Sequence, residues 1–264
     1  LLTSVTVPVL GLLFMSRDNN WIVVTGASSG IGRCTARTII ERGSKVVLTS
    51  RTAVKLEETV KGYSEEKYVI IPWDLSDLDS LQDYTKKVKE TVGPISGFVH
   101  CAGIQKTMPL SLMKKQTIYD LFNLNTFSAM LLVSMFSKNG YYMENASFIF
   151  VSSVSAHKGA VGQSIYAASK GAIEGFIPAT ASELALKGIR LNAVVPGIVK
   201  TEMVDDFFKN LSDEQKKAFE DSYPLGLGDP IDVANLIEYL LSDKAKWITG
   251  ECYKIDGGHM IRKA

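Results

Sequence analysis

Short apolar runs rich in β-branched residues alternate along the chain with longer stretches in which apolar positions recur every three or four residues. The first kind suits strands buried on both faces and the second amphipathic helices, so their alternation is the sequence form of βαβ units around a mostly parallel sheet. Seven strands are predicted, at 21–24, 45–49, 68–71, 97–100, 147–151, 190–195 and 251–255. Candidate helices lie between them at 31–41, 53–63, 78–92, 112–137, 166–187 and 232–241. No repeat or low-complexity linker interrupts the series, so one α/β domain over residues 15–264 is expected, with nucleotide binding in its first half and chemistry in its second.

The apolar stretch 5–15 stands outside this alternation. It is too short to span a bilayer, contains Pro8 and Gly11, has no basic residue ahead of it and lacks a clear small-residue cleavage site, so it reads as neither anchor nor signal peptide. Met15 is read as the natural start, with residues 1–14 either added by cloning or an unstructured arm; the alternative is an apolar arm packed on the body or on a neighbouring subunit. With 46% hydrophobic and 22% charged residues, disordered and fibrous classes are excluded. Lys plus Arg number 29 against 28 Asp plus Glu, and no basic run offers a stripe for phosphates, which argues against a nucleic-acid partner. Cys34, Cys101 and Cys252 are far apart with no metal-ligand spacing, so no metal site is expected and a reducing, cytoplasmic compartment fits.

After the first strand comes Thr25-Gly26-Ala27-Ser28-Ser29-Gly30-Ile31-Gly32, leading into a helix. Glycines here let the backbone curl against a pyrophosphate, whose charge then sits on free N–H groups at the helix N-terminus. A glycine-rich turn without a ligand is the bland alternative, but the strand-turn-helix context favours a dinucleotide. About 20 residues further on, where an NAD site usually places an acid for the ribose, the second strand ends in Ser50-Arg51. A hydroxyl and a guanidinium suit a 2′-phosphate, Arg33 adds a cation nearby, and NADPH is expected over NADH.

Ser153 ends the fifth strand, Tyr166 follows 13 residues later, and Lys170 lies four after Tyr166, which puts phenol and ammonium on one helix face. Together with the glycine turn these residues identify a resemblance to the short-chain dehydrogenase/reductase family from about Trp21 to Gly258. Its further pieces are Trp73-Asp74-Leu75, Ala102-Gly103-Ile104, Asn125, Tyr166-Ala-Ala-Ser-Lys170, Pro196-Gly-Ile-Val-Lys-Thr201 and the stretch Thr249 to Gly258. The resemblance implies a single-domain Rossmann-like doubly wound fold, a seven-stranded parallel sheet flanked by helices on both faces, and an NAD(P)-dependent oxidoreductase. It also implies a tetrad of Asn125, Ser153, Tyr166 and Lys170. The cofactor would lie on Gly26, Ser28, Ser29, Gly30, Ile31, Gly32, Ser50 and Arg51, with Asp74 and Leu75 at the adenine. Backbone at Cys101, Ala102 and Gly103, the ribose-gripping Lys170 beside Tyr166, and Pro196, Gly197, Val199 and Thr201 around the nicotinamide would complete the site.

Hydride addition to a ketone develops alkoxide charge, which calls for a proton donor and an oriented hydrogen bond at its oxygen. Tyr166 can give the proton and Ser153 can hold the carbonyl. A cation one helical turn away, with the positive nicotinamide, should lower the phenol pKa. Asn125, preferred over Asn123 on the family's spacing, would hold a water that passes protons to Lys170. The family's Asn-Asn-Ala-Gly is His100-Cys101-Ala102-Gly103 here, so a bracing side-chain amide is missing, and His100 reads as a packed histidine, not a ligand. Pro178 falls beyond Lys170 in the same helix, where it should bend the axis and spare the tetrad.

A Ser212-xx-Gln215 capping box predicts a short helix in a lid over the site, in which Met203, Phe207 and Phe208 either wall the substrate or only pack the lid. The pattern is most similar to the bacterial 3-oxoacyl-acyl-carrier-protein reductase branch. An acidic carrier wants a basic landing patch, for which Lys138, Lys187 and Arg190 are the candidates. A 3-oxoacyl thioester is one substrate class expected, a free small ketone or a sugar nucleotide another, and a non-catalytic NADPH sensor is disfavoured because Tyr166 and Lys170 are both present. Apolar surplus on helices 112–137 (Leu121, Leu124, Met130, Leu131, Leu132, Met135) and 166–187 (Ile173, Phe176, Leu184) points to burial by a partner. In the resembled family these helices pair across a two-fold axis, and a homotetramer is expected, with a dimer the alternative.

Overall fold

The computed structural model describes residues 20–209 and 211–261, without the side chain of Asp206, and the expectations for residues 1–14 lie outside the described residues. Seven strands form one sheet: β1 (Trp21–Thr25), β2 (Lys45–Thr49), β3 (Tyr68–Ile70), β4 (Ile95–His100), β5 (Tyr142–Val151), β6 (Arg190–Pro196) and β7 (Cys252–Ile255). Their order is β3-β2-β1-β4-β5-β6-β7, and every pairing is parallel. Both faces are covered by helices, which is why the strands are runs of Val, Ile and Phe and not alternations.

The helices are α1 (Gly30–Glu41), α2 (Ala53–Val60), α3 (Leu81–Val92), α4 (Lys115–Phe122), α5 (Ser128–Phe136), α6 (Ser164–Ala185), α7 (Glu202–Phe208), α8 (Asp213–Asp221) and α9 (Pro230–Leu241). On one face Ile39 of α1, Leu56 of α2 and Ile237 of α9 pack with Leu48, Val99 and Ile149. On the other, Tyr84 of α3, Leu132 and Phe136 of α5 and Ile173 of α6 pack with Phe98 and Phe148. The strand order, not the strand direction, reverses at β1 and β4: β2 and β3 are added on one side of β1, and β4 to β7 on the other. That leaves a crevice beyond their carboxyl ends, the place where open α/β sheets bind ligands.

The expected helix 112–137 is really two helices joined by a π turn, Asn123–Phe127, with a 3₁₀ turn at Leu110–Leu112 ahead of them. Side-chain bonds hold the wide turn: Thr126 Oγ1 donates to Ser169 O at 2.9 Å and Ser128 Oγ to Leu124 O at 2.7 Å. Helix 53–63 stops at Val60 because Gly62 takes φ +93°. β5 starts earlier than the apolar run predicts, pairing Tyr142 with Ile95 before a register shift and a positive φ at Asn145. α6 continues through Pro178. The capping box of α8 forms as read, with Gln215 N donating to Ser212 Oγ at 3.3 Å and Ser212 N to Gln215 Oε1 at 2.9 Å.

Candidate active site

A cavity of about 750 Å³ fills the crevice, and every residue expected to touch a cofactor or substrate lines it except Asn125, Arg33 and Phe208. At its floor the chain turns from β1 into α1. Gly26 takes φ +65°, and a Cβ at Gly32 would stand only 2.2 Å from the Gly26 carbonyl oxygen, so α1 can begin this close to β1 only with glycine there. At one end lie Ser50, Arg51 and Lys55, with Asp74 and Leu75 opposite. Burial alone would raise the Asp74 pKa, but hydrogen bonds from Ser76 and the charge of Arg51 outweigh it and hold the carboxyl below its ordinary value. Arg33 does not join Arg51 as the second cation expected. Its guanidinium donates to Ser28 O at 2.6 Å and to Glu202 Oε1 at 2.9 Å.

At the other end Ser153, Tyr166 and Lys170 converge. Ser153 Oγ accepts from Ser155 N at 3.2 Å and donates to Ser155 Oγ at 3.2 Å. Lys170 Nζ donates to Val151 O at 2.8 Å and sits 5.9 Å from the centre of the Tyr166 ring. The phenol departs from expectation: burial raises its pKa, and a hydrogen bond from Ser153 offsets only part of that. The same burial brings the Lys170 ammonium down to about 8. Asn125 is fully buried; its Oδ1 accepts from Ile104 N at 2.8 Å, and its Nδ2 donates to Ile104 O at 2.9 Å and Ser169 Oγ at 3.1 Å. Both amide hydrogens are therefore used. A Cβ at residue 103 would lie 3.2 Å from Asn125 Oδ1 and 3.5 Å from Lys170 Nζ, so Gly103 keeps the space between them open.

The brace that the motif lacks is supplied by His100. It is fully buried between Thr25 Oγ1, 3.1 Å from Nδ1, and Leu124 O, 3.4 Å from Nε2. Since a carbonyl only accepts, Nε2 carries the proton and Nδ1 accepts from the Thr25 hydroxyl. Thr25 Oγ1 in turn accepts from Ala102 N at 3.3 Å. The imidazole thus links the π turn that carries Asn125 to the turn at Cys101 to Gly103. Among the described residues no group of His, Cys, Asp and Glu is placed to hold a metal ion.

The outer wall comes from the segment after β6. Met203 and Phe207 of α7 and Phe219 of α8 line the cavity, while Phe208 packs on Phe207 and Phe219, so the lid aromatics do both things the sequence left open. Tyr223 OH accepts from Ile198 N at 2.9 Å, and its ring stacks on His259 at 4.3 Å. A Cβ at Gly197 would meet Tyr223 at 2.7 Å, which explains a glycine in that segment. Behind Ser153, the Glu174 carboxylate accepts from Ser152 Oγ at 2.6 Å and pairs with His157 Nε2 at 2.6 Å, fastening the β5–α6 loop to α6.

The family model described as Enoyl-(Acyl carrier protein) reductase matches residues 26–260. A 3-oxoacyl-(acyl-carrier-protein) reductase of Vibrio harveyi is 33% identical over 246 residues, spanning 92% of this chain and 98% of that protein. A solved short-chain dehydrogenase/reductase, glucose/ribitol dehydrogenase from Brucella melitensis, superposes with a TM-score of 0.84 at 30% identity, covering 93% of this chain and 98% of its own. The chain belongs to the short-chain dehydrogenase/reductase family. Carbonyl reductase family member 4 of Danio rerio is 31% identical over 89% of this chain and 96% of that one. An actinorhodin polyketide ketoreductase variant with NADPH superposes with a TM-score of 0.85 at 26% identity, over 92% of this chain and 98% of that chain. Members of this family bind a nicotinamide cofactor, and this one is an oxidoreductase.

Several residues of the site escape sequence reading. Lys55, Gln163 and His259 line the cavity from a helix surface, a loop and the chain's end, with no motif to mark them. Glu202 carried one available signal: it follows Thr201 directly, and Thr201 lies against the glycine turn.

Proposed function

We propose that this short-chain dehydrogenase/reductase reduces a ketone to a secondary alcohol with NADPH, Tyr166 giving the proton. The observation that carries this reading is one cavity running from Ser50 and Arg51 past the glycine turn to Ser153, Tyr166 and Lys170. The residues fit the cofactor. Arg51 and Lys55 offer cations and Ser50 a hydroxyl to a 2′-phosphate, no acid stands at the end of β2, and the first turn of α1 has N–H groups with no helical partners for the diphosphate. Bound there, NADPH supplies the hydride.

The chain's own residues do the rest. A phenol raised by burial keeps its proton near neutrality and is set to give it to an oxygen that gains charge, which suits the reducing direction. Ser153, whose Oγ is held by the Ser155 N–H, turns its hydroxyl hydrogen from Ser155 Oγ to the same oxygen. Lys170 grips the ribose from its place on Val151 O, and the niche kept open by Gly103 accommodates a water between Asn125 Oδ1 and Lys170 Nζ that returns the proton. The apolar wall of Ile104, Met203, Phe207 and Phe219 suits the chain of a 3-oxoacyl thioester, the substrate class of the bacterial relatives' name.

A free small ketone or sugar nucleotide is the second reading, and a specific observation favours it. Two of the three cations expected to receive an acidic carrier are tied to backbone: Lys187 Nζ donates to Ser137 O at 3.1 Å, and Arg190 reaches Ile248 O and Ser242 O at 3.4 and 3.3 Å. NADPH consumption measured against 3-oxoacyl thioesters, sugar ketones and steroid or quinone ketones separates the two, and no turnover with any ketone refutes the reductase reading. We further propose a homotetramer. Leu121, Leu132, Ile173 and Leu184 prove to be buried within the subunit, but Tyr119, Phe127 and Leu131 stay exposed along α4, the π turn and α5. No helix among the described residues is long and apolar enough to cross a membrane, and the three free cysteines suit a cytoplasmic setting.

A further inference from the structure

The N-terminus of α1 already holds an anion, and it belongs to the protein. Gly30 N, the first N–H of that helix, donates to Glu202 Oε2 at 3.0 Å, while Arg33 Nη1 donates to Glu202 Oε1 at 2.9 Å. No acidic residue lies in the first turn of α1, and Ser29 makes no capping bond, so Glu202 supplies from 172 residues away the negative charge a helix N-terminus favours. Burial would raise the Glu202 pKa, but its hydrogen bonds, its own backbone's among them, and the Arg33 charge outweigh it and keep the carboxylate ionised. Thr201 shares the seat: a Cβ at Gly30 would lie 2.9 Å from its Cγ2. Glu202 is also the first residue of α7, whose Met203, Val204 and Phe207 line the cavity.

We propose that Glu202 is an internal competitor for the diphosphate of the dinucleotide, a residue that sets cofactor affinity and couples it to the substrate wall. The inference rests on the dinucleotide reading given above. A carboxylate and a diphosphate cannot share one N–H donor, and their like charges repel across the turn. Binding of the cofactor therefore releases Glu202 from Gly30 and frees the start of α7, so that the outer wall of the substrate pocket is set only after the cofactor is in place.

The test is direct binding, by calorimetry, of NADPH, inorganic pyrophosphate and adenosine 2′-monophosphate to the wild type, Glu202→Gln and Glu202→Ala, with circular dichroism to verify the fold of each. The expected result is a dissociation constant lower by roughly two- to fivefold for NADPH and for pyrophosphate in both variants, the range that one half-exposed carboxylate at a helix N-terminus covers. Adenosine 2′-monophosphate, which carries no diphosphate, should bind all three proteins alike. Unchanged or weaker binding of NADPH and pyrophosphate in both variants overturns the proposal, making the carboxylate a clasp on the closed site. If no protein binds NADPH or NADH, the cofactor reading fails instead, while a gain in pyrophosphate affinity would still support Glu202 as the occupant of the anion site.

Discussion

Acidification should destabilise this protein in a way that can be traced to a single imidazole. Burial, with a smaller contribution from the Lys170 charge, brings His100 from an ordinary 6.5 down to about 3. Because the folded pKa is depressed, the unfolded chain takes up the proton first. His100 therefore stabilises the fold fully above pH 6.5, and that contribution is lost as pH falls from there toward 3. Evaluated at pH 5 relative to pH 8, the linkage amounts to about 2 kcal/mol, or roughly 4–8 °C in Tm for a domain of this size. The assay is chemical or thermal denaturation at pH 8, 7, 6 and 5 for the wild type and for His100→Asn, which keeps a donor and an acceptor but does not titrate. Carboxylates contribute equally to both, so the difference between the two curves isolates the imidazole. The wild type should lose about 2 kcal/mol more than the variant between pH 8 and 5. Parallel losses, or a folded-state imidazole titrating near 6.5 by NMR, would refute the reasoning and with it the Nε2-protonated brace.

Three further outcomes follow from the site. Tyr166→Phe should cut ketone reduction by roughly 100-fold or more while leaving NADPH affinity within about twofold, read by steady-state rates and fluorescence binding, because the ring still packs and only the proton donor is gone. Arg51→Asp should weaken NADPH by about tenfold or more and leave NADH nearly unaffected; an unchanged ratio of the two dissociation constants would return Arg51 to a solvated strand end. Light scattering at micromolar concentration should give four times the subunit mass of 28.9 kDa, and a persistent monomer would contradict the packing of the exposed α4–α5 face.

Much of the fold could be read from the chain because parallel strands buried on both sides cannot hide: the runs Val23-Val24, Val46 to Leu48 and Phe148 to Val151 have few other uses. The glycine turn was equally legible, since close approach of backbones leaves glycine as the residue that fits. What escaped were contacts between segments distant in sequence. Glu202 on Gly30, His259 on Tyr223 and Glu174 between Ser152 and His157 depend on which loops meet, and periodicity says nothing about that. The weight of burial on the phenol escaped for a similar reason. The four-residue step from Tyr166 to Lys170 places phenol and ammonium on one helix face, but says nothing of the depth of burial that dominates both groups.

The wide turn at Asn123–Phe127 has a consequence for how this helix tolerates change in length. A π turn is an α-helix holding one residue too many, and each residue of an α-helix advances about 100° around its axis. Removing one residue there would let α4 and α5 fuse into a regular helix with their phases kept, whereas winding the unchanged sequence as one regular helix would rotate everything beyond the turn by about that angle. Leu132 and Phe136, now buried against the sheet, would swing toward the flank, and the exposed Leu131 would change places with them. The insertion thus acts as a phase setter: the turn following α4 can present Asn125 to Ile104 while α5 presents its apolar stripe to the core, two alignments that a straight helix of the same sequence could not satisfy together.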